Sequence, residues 1–405
     1  MLATKAILAL AIGAGVAAAA DKPAKHAPAA APASKNTPAS GTKIPTGVKL
    51  NDADAKPFML DSHSYNGLRS DDQFGYLFTH FTSTDEQVYW HLSDGDDPLN
   101  FSPLNHAKPI LRNNLGSKAA RDSFICKNEF TGKTYLIANN QSLISPPQDY
   151  QAAYIQNYTG IVVFEAKNDL LTEWSAPHLL PIAPKDSLHV FAPECISDPA
   201  KKQVLIHWSG ATARDQTQRI YGAYTTDFHS ADKPFLYFTD GPNGVGDMTL
   251  FKLNFAKDNA KNSSYVRFYR SDADKYAVRG QISDNGLFGA WRDILPLNKS
   301  DPVTIDPNTN NQGPLVYKTH RKDQDEFLIW VKDAGDGYEA YETENIRMLP
   351  YTRKTAPYFP QNFEQGQVIG LCRKQYDAIK AKFYNSGRRR RGIRLDELVG
   401  LADVA

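Results

Sequence analysis

A unit of short alternating strands recurs five times in this chain of 405 residues, and this repeat restricts the fold more than any other feature. The units span Tyr76–Phe101, Arg121–Trp174, Ala192–Phe235, Gly246–Trp291 and Gln312–Leu349. Each combines an apolar strand, an aromatic-rich strand and an alternating strand that runs into a polar corner. Five repeats of this size predict an all-β, five-bladed β-propeller. A two-sheet sandwich is the alternative, since it shares the alternation but not the repeated unit.

Both ends of the chain lie outside the repeats. Residues 1–20 combine Lys5 with an apolar run ending in small residues, a pattern typical of a secretory signal peptide. This run is shorter than the roughly 20 residues that a membrane span needs. Residues 21–47 are rich in Ala, Pro and Lys and predict a disordered linker. We expect the propeller domain over 48–385 and a basic tail over 386–405. Within this tail, the run Arg388–Arg391 is either a solvated segment, a processing site or an arm that binds nucleic acid.

Composition indicates an exported protein. The formal net charge of +1 argues against nucleic acid or a membrane as partner, and we expect a secreted, extracellular monomer. Glycosylation sequons begin at Asn100, Asn140, Asn157, Asn262 and Asn298. Three cysteines permit at most one disulfide, and the apolar surroundings of Cys126 and Cys195 favour buried thiols.

The repeats carry polar residues at the heads of otherwise apolar strands. In a propeller the innermost strands line a central channel, so these heads converge although they are far apart in sequence. Asp122, Glu194, Asp247 and Gln312 stand there, 72, 53 and 65 positions apart by subtraction. They either cap strands or form a ligand site, and the whole set favours a ligand site.

These motifs resemble glycoside hydrolase family 43, the five-bladed propellers that act on arabinose- and xylose-containing polysaccharides. The resemblance runs from about Phe74 to Phe383 and rests on the repeat starts RDS, FAPE, GDM and QGP, and on the late segment QGQVIGLCRKQYDAI. It implies an aspartate base at Asp122 and an aspartate that tunes pKa values at Asp247. The chain departs from the pattern with Ser123 for proline, Gly246 for isoleucine and Phe191 for a sugar-stacking tryptophan.

A further departure lies at Gln312, where the resemblance implies a glutamate general acid. An inverting glycosidase holds its base and its acid about 6.5–9.5 Å apart, with a water beside the base. A carboxamide has no proton to give at accessible pH, and loss of a general acid costs about 10²–10⁴-fold in rate. Asp301, Asp306 or Glu364 could serve instead, or the substrate could need no help in departing.

We predict that Arg121, Phe191, Glu194, Trp208 and His80 contact the sugar. Phe191 and Trp208, with Phe124, are candidate stacking platforms, although aromatic residues at such positions are often part of the core. His80 follows an inner-strand pattern in the first repeat, where it serves as a polar group rather than a metal ligand. The sequence has no zinc-like spacing and no phosphate loop, so we expect neither metal nor cofactor.

Two functions fit these observations. The chain is either an extracellular hydrolase of arabinan, arabinoxylan or related glycans, or a propeller that binds sugar after losing catalysis. The residues leave open the sugar, the linkage, and exo or endo action.

Overall fold

The computed structural model describes residues 72–144, 158–253, 263–274, 276–306, 311–333 and 337–384. The expected signal peptide, linker, basic tail and both bounds of the propeller domain lie outside these residues, as do the sequons at Asn157 and Asn262. Within the described residues, no helix is both long enough and apolar enough to pass through a bilayer.

The regular structure of the described chain is mostly β-strand, in twenty-two segments. The first eleven are β1 (Gln73–His80), β2 (Tyr89–Ser93), β3 (Phe101–Pro103), β4 (Arg121–Lys127), β5 (Thr134–Asn139), β6 (Gly160–Glu165), β7 (His178–Pro181), β8 (Ser187–Asp198), β9 (Gln203–Thr212), β10 (Arg219–Thr225) and β11 (Phe235–Phe238). The others are β12 (Val245–Lys252), β13 (Tyr265–Ser271), β14 (Ala277–Ser283), β15 (Trp291–Asp293), β16 (Leu295–Pro296), β17 (Asn311–Lys318), β18 (Phe327–Asp333), β19 (Gly337–Thr343), β20 (Met348–Leu349), β21 (Thr352–Lys354) and β22 (Gly366–Cys372). Helix α1 (Arg373–Ile379) continues into a π-helical turn (Lys380–Tyr384), and single 3-10 turns lie at Asn105–Ala107 and Asp272–Asp274.

Five antiparallel sheets of four strands form the blades of a β-propeller, which confirms the predicted fold. Blades two to five have the orders β4-β5-β6-β7, β8-β9-β10-β11, β12-β13-β14-β15 and β17-β18-β19-β21. The innermost strands pack in a closed ring, in which β22 contacts β4, β4 contacts β8, β8 contacts β12, β12 contacts β17, and β17 returns to β22.

The first blade closes this ring with a strand from the far end of the chain. Its order is β22-β1-β2-β3, so β22 is the innermost strand and β1 is the second. Leu77 of β1 pairs with Ile369 of β22 and with Leu92 of β2. The prediction that His80 lies on an inner strand is therefore wrong, because its strand is covered by a segment almost 300 residues further along the chain.

Hydrophobic side chains fill the space between each pair of neighbouring blades. Five buried clusters match the five interfaces; the cluster between blades one and two contains Trp90 and Leu136, and the cluster between blades five and one contains Phe78 and Trp330. Because a blade is covered on both faces, its central strands are apolar on both faces and read as nearly continuous hydrophobic runs. Most of the buried apolar area thus holds blades together around the channel.

One covalent bond also joins two blades. Cys126 of β4 and Cys195 of β8 form a disulfide, with their Cα atoms 5.9 Å apart. The sequence-based preference for two buried thiols is wrong here, because adjacent inner strands bring two residues 69 positions apart within bonding distance. Cys372 is a free thiol at the end of β22.

Candidate active site

The inner strands of blades two to five begin with the same backbone irregularity. In each, a β-bulge interrupts the pairing with the second strand, and one residue has a positive φ: 52° at Asp122, 45° at Ala192, 50° at Asp247 and 56° at Gly313. Glycine adopts this backbone conformation most readily and aspartate tolerates it, whereas Ala192 is held in it by its surroundings. A β-bulge changes the direction in which the side chains of a strand point. Since Asp122 and Asp247 stand at the same place in their bulges, they occupy equivalent positions on blades two and four.

Asp122 is buried and held by neighbours on two blades. Its Oδ2 accepts hydrogen bonds from Nδ2 of Asn139 at 3.2 Å and from the backbone N–H of Ala192 at 3.1 Å. Burial raises the pKa of this carboxyl above its usual value, and Asp247 contributes in the same direction, whereas Arg121 and the two hydrogen bonds oppose the rise. The carboxyl is thus fixed in direction and sensitive to the charge of Asp247.

Asp247 is fixed by a cation from the second strand of its own blade. Nη1 of Arg270 donates to Oδ2 of Asp247 at 3.1 Å, and the backbone N–H of Asp247 donates to Oγ of Ser209 at 2.7 Å. Arg270 reaches this point because Gly246 has no side chain: a Cβ there would lie 2.8 Å from Nη2 of Arg270. The departure from isoleucine at this position therefore makes room for the ion pair.

The departure at Ser123 also has a structural partner. Its side chain is fully buried, and its Oγ lies 2.7 Å from Oγ1 of Thr79 on β1. This hydrogen bond links blade two to blade one directly behind Asp122.

Gln312 precedes the bulge of blade five and lies in a row of polar residues. It pairs in register with Lys332 of β18, which pairs with Tyr338 of β19. The Lys332 ammonium forms an ion pair with Glu364, which lies just before β22. The hydroxyl of Tyr338 packs against Gly313.

Of the three carboxylates considered as substitutes for the acid, only Glu364 lies near this row. Asp306 is buried elsewhere, where its Oδ2 accepts a hydrogen bond from the Tyr341 hydroxyl at 2.7 Å. Asp301 accepts one from Asn298 at 3.2 Å on the surface. Glu364 is already engaged by Lys332.

Arg121 and Phe191 occupy the position before the bulge in blades two and three, equivalent to that of Gln312. The Arg121 guanidinium lies 5.9 Å from the centre of the Phe191 ring and 4.9 Å from that of Phe81. Its Nε lies 3.4 Å from Oε1 of Glu86, which also accepts from the backbone N–H of Leu143 at 2.7 Å. Phe191 is half-buried and stacks on His189, so an apolar ring face and a cation adjoin Asp122.

Glu194 takes part in the contact between blades three and four. Thr249 and the backbone of Leu250 hydrogen-bond to its carboxyl, and burial, the largest effect, raises its pKa well above the usual value. Its Oε2 lies 4.0 Å from Nε2 of His207, and neither atom has a hydrogen-bond partner among the residues that the structure describes. Glu194 thus lies behind Asp247, beside the predicted pocket.

Trp208 and His80 lie in the core. Trp208 is 1% exposed and packs against Tyr221 in the cluster between blades two and three, and Phe124 belongs to the same cluster. His80 is 2% exposed, with its Nε2 2.8 Å from Nδ1 of His91, and burial together with His91 lowers the pKa of His80 to about 3. Neither side chain is accessible to a sugar in this structure.

Sequence reasoning missed Arg270, Lys332 and Tyr338, because all three lie on second or third strands. The signals for Arg270 and Tyr338 are the glycines at the strand heads, because Arg270 enters the space beside Gly246 and Tyr338 the space beside Gly313. Lys332 has no such signal. In the part of the chain that the structure describes, no three His, Cys, Asp or Glu side chains are grouped to hold a metal ion.

Residues 71–377 match the sequence model of a family related to glycoside hydrolase family 43 and described as a probable glycosyl hydrolase domain. The protein belongs to this family. The match covers all five blades, and it agrees with the resemblance that the strand-head motifs carry. A comparison with curated proteins found no match for this family 43-related chain.

Solved structures similar to this family 43-related protein include an exo-β-1,3-galactanase from Phanerochaete chrysosporium, with 10% identity and a TM-score of 0.41, over 69% of this chain and 54% of that one. Another is an α-L-arabinanase from Penicillium chrysogenum, with 12% identity and a TM-score of 0.42, over 69% of this chain and 81% of that one. A third is an endo-arabinase from Bacteroides thetaiotaomicron, with 16% identity and a TM-score of 0.39, over 61% of this chain and 84% of that one. The chain spans about half the length of the galactanase.

Proposed function

We propose that this protein is a secreted, monomeric glycosidase of arabinan- or arabinoxylan-type polysaccharides, acting by inversion with weakened acid catalysis. The observation that carries the proposal is the pair of equivalent bulge positions, which place Asp122 and Asp247 at matching points of two inner strands with nearly the same φ. In this proposal Asp122 activates the attacking water, and Asp247 positions the sugar and tunes the charge around Asp122.

Gln312 would contact the departing oxygen without donating a proton to it. Its carboxamide provides a hydrogen bond, so only substrates with good leaving groups would react at an appreciable rate. Phe191 offers its ring face to the sugar, and Arg121 offers a cation beside Asp122. Metal and cofactor have no role in this proposal.

A second candidate is a carbohydrate-binding propeller without catalysis. The observation that favours it is the state of the acid position, where Gln312 replaces the glutamate and the nearby Glu364 is paired with Lys332. The same channel mouth would then hold the end of a glycan without cleaving it.

One paired assay separates the two candidates. Hydrolysis of an aryl arabinofuranoside and of natural arabinan is measured for the wild type, Gln312→Glu and Asp122→Asn. Asp122→Asn keeps an oxygen that can accept from Asn139 and Ala192, so the fold should persist. The hydrolase predicts slow, Asp122-dependent turnover of the aryl substrate and a gain of about 10²–10⁴-fold on arabinan for Gln312→Glu.

The binding protein instead predicts no turnover by the wild type and glycan binding that Asp122→Asn leaves largely intact. A wild type that neither binds nor cleaves any glycan of an arabinan and arabinoxylan panel would exclude both candidates. Fast cleavage of arabinan by the wild type, slowed by Gln312→Glu, would show that the acid assignment is wrong.

Export is part of this proposal and is supported by the signal-like residues 1–20 and by the Cys126–Cys195 disulfide, since such bonds persist in oxidising compartments. Export is tested by identifying the first residue of the protein that is recovered from the culture medium of an expressing cell. A new terminus near Asp21 is expected, and an intact Met1 on protein retained inside the cell would contradict export.

A further inference from the structure

Tyr338 has a buried hydroxyl group that no described residue engages. The residue lies on β19 and is 8% exposed, and its ring stacks on Phe363 with the ring centres 4.5 Å apart. Its hydroxyl oxygen is buried, and across the described ranges it has no hydrogen-bond partner. Buried hydroxyl groups are usually hydrogen-bonded, so this exception calls for an explanation.

The hydroxyl lies at the head of blade five, against the bulge that follows Gln312. A Cβ on Gly313 would lie 2.5 Å from this oxygen and 3.5 Å from Oε1 of Gln365. The glycine therefore serves two purposes, since it adopts a φ of 56° and leaves room for the hydroxyl. The register from β17 to β19 places Gln312, Lys332 and Tyr338 in one row.

Carboxylates surround this hydroxyl at a longer range. Burial is the main cause that raises the pKa of Tyr338 well above its usual value, and the charges of Glu364, Asp247 and Asp122 add to it. The phenol is thus a neutral donor within the field of both proposed catalytic aspartates. This phenol is kept protonated and has no acceptor among the described residues, so its hydrogen bond is left for a molecule that binds against it.

We propose that the Tyr338 hydroxyl is a ligand-binding group of this site, which donates a hydrogen bond to an oxygen of the sugar residue held beside Gln312. This inference rests on the proposed function, because it takes a saccharide as the ligand. The two neutral donors, phenol and carboxamide, would together hold the oxygen that a glutamic acid protonates in an active glycosidase.

The test compares Tyr338→Phe with Tyr351→Phe. Tyr351 is a buried tyrosine whose hydroxyl donates to the carbonyl oxygen of Ile346 at 2.6 Å, in the core between blades four and five. Affinity for an arabino-oligosaccharide is measured by titration calorimetry, and the midpoint of thermal unfolding is measured on the same samples.

We expect Tyr338→Phe to bind about 3- to 10-fold more weakly, as for the loss of one hydrogen bond, with an unchanged or higher unfolding midpoint. The midpoint should not fall because no hydrogen bond within the described protein is lost. Tyr351→Phe should show the reverse, with unchanged affinity and a lower midpoint. This pattern separates a ligand contact from a structural tyrosine.

Wild-type affinity in Tyr338→Phe would overturn the inference while leaving the proposed function intact. A fall in its midpoint that matches that of Tyr351→Phe, with affinity unchanged, would assign the hydroxyl to the fold. A wild type that binds no saccharide of the panel would reject the proposed function, and the inference about Tyr338 with it.

Discussion

Arg270 fills the space that the missing side chain of Gly246 leaves at the head of β12. The two residues are register partners, and a Cβ on Gly246 would lie 2.8 Å from Nη2 of Arg270 and 2.7 Å from Oε1 of Gln218. Through this space Nη1 reaches Oδ2 of Asp247 at 3.1 Å. The small residue and the cation therefore depend on each other, and together they orient the carboxylate of blade four.

A double-mutant cycle tests this dependence. Gly246→Ala should lower the free energy of unfolding by about 1–3 kcal/mol, because the new methyl group crowds the guanidinium. The same substitution should cost less in an Arg270→Ala background, with a coupling of about 0.5–3 kcal/mol from urea denaturation. Costs that simply add would show that the two residues do not share this space.

The ion pair of Arg270 with Asp247 should contribute more to stability than a surface pair does. Both side chains are 12% exposed, so Arg270→Ala leaves a carboxylate buried without its cation and should cost about 3–5 kcal/mol. The matched control is Arg214→Ala, whose guanidinium is 90% exposed and 3.4 Å from Asp186, and which should cost about 0–1 kcal/mol. Equal small losses in urea denaturation would contradict a buried role for Arg270.

The pH dependence of turnover should reveal the missing acid. Burial raises the pKa of Asp122, so kcat/KM for an aryl arabinofuranoside should rise through one ionisation with a midpoint above the usual 3.8 of aspartate. It should not fall on the alkaline side, because Gln312 has no ionisable proton. Gln312→Glu should add that fall and make the profile bell-shaped. A bell-shaped wild-type profile would indicate another donor, with Glu364 the first to test by substitution to Gln.

Most of the architecture follows from the sequence because blades are local. Each of blades two to five is a continuous stretch of chain, so period-two alternation and polar corners predict its strands. The first blade could not be derived in this way. Nothing in the apolar segment Gly366–Cys372 specifies its pairing with β1, which lies almost 300 residues earlier in the chain.

The site was predicted less completely, for a reason that the bulges explain. A bulge inserts a residue and reverses which side chains face the channel. Phe191 precedes the bulge of its strand and Glu194 follows it, so Glu194 is equivalent to Phe124 and Thr249 and not to Asp122 and Asp247, with which the strand-head motifs grouped it. Tyr338 and Arg270 come from outer strands, where the spacing along the chain contains no information about the channel.

Glu194 should make the stability of the protein depend on pH. Burial raises its pKa well above 4.5, so the folded state binds a proton that the unfolded state releases, and stability falls as the pH rises from about 4.5 towards the folded pKa. Glu194→Gln mimics the protonated form and should lack this fall. The difference in free energy of unfolding, variant minus wild type, should therefore grow with pH in urea titrations.

The matched control for this experiment is Glu173→Gln, at an exposed position. It should differ from the wild type by the same small amount at every pH. A difference between Glu194→Gln and the wild type that also stays constant from pH 4 to pH 9 would show that Glu194 ionises as it does in the unfolded chain.

The Cys126–Cys195 bond should be a main source of stability between blades two and three. It closes a loop of 69 positions, and a crosslink over such a loop stabilises a fold by about 4 kcal/mol in the chain-entropy description. Cys126→Ala/Cys195→Ala should lose about this much in urea denaturation. A reductant should lower the wild type towards the double variant and leave the double variant unchanged, which separates the crosslink from the packing of the two side chains. The control Cys372→Ser removes the free thiol and should behave as the wild type does with and without reductant. If reductant leaves the stability of the wild type unchanged, the sulfurs of Cys126 and Cys195 are not joined in solution.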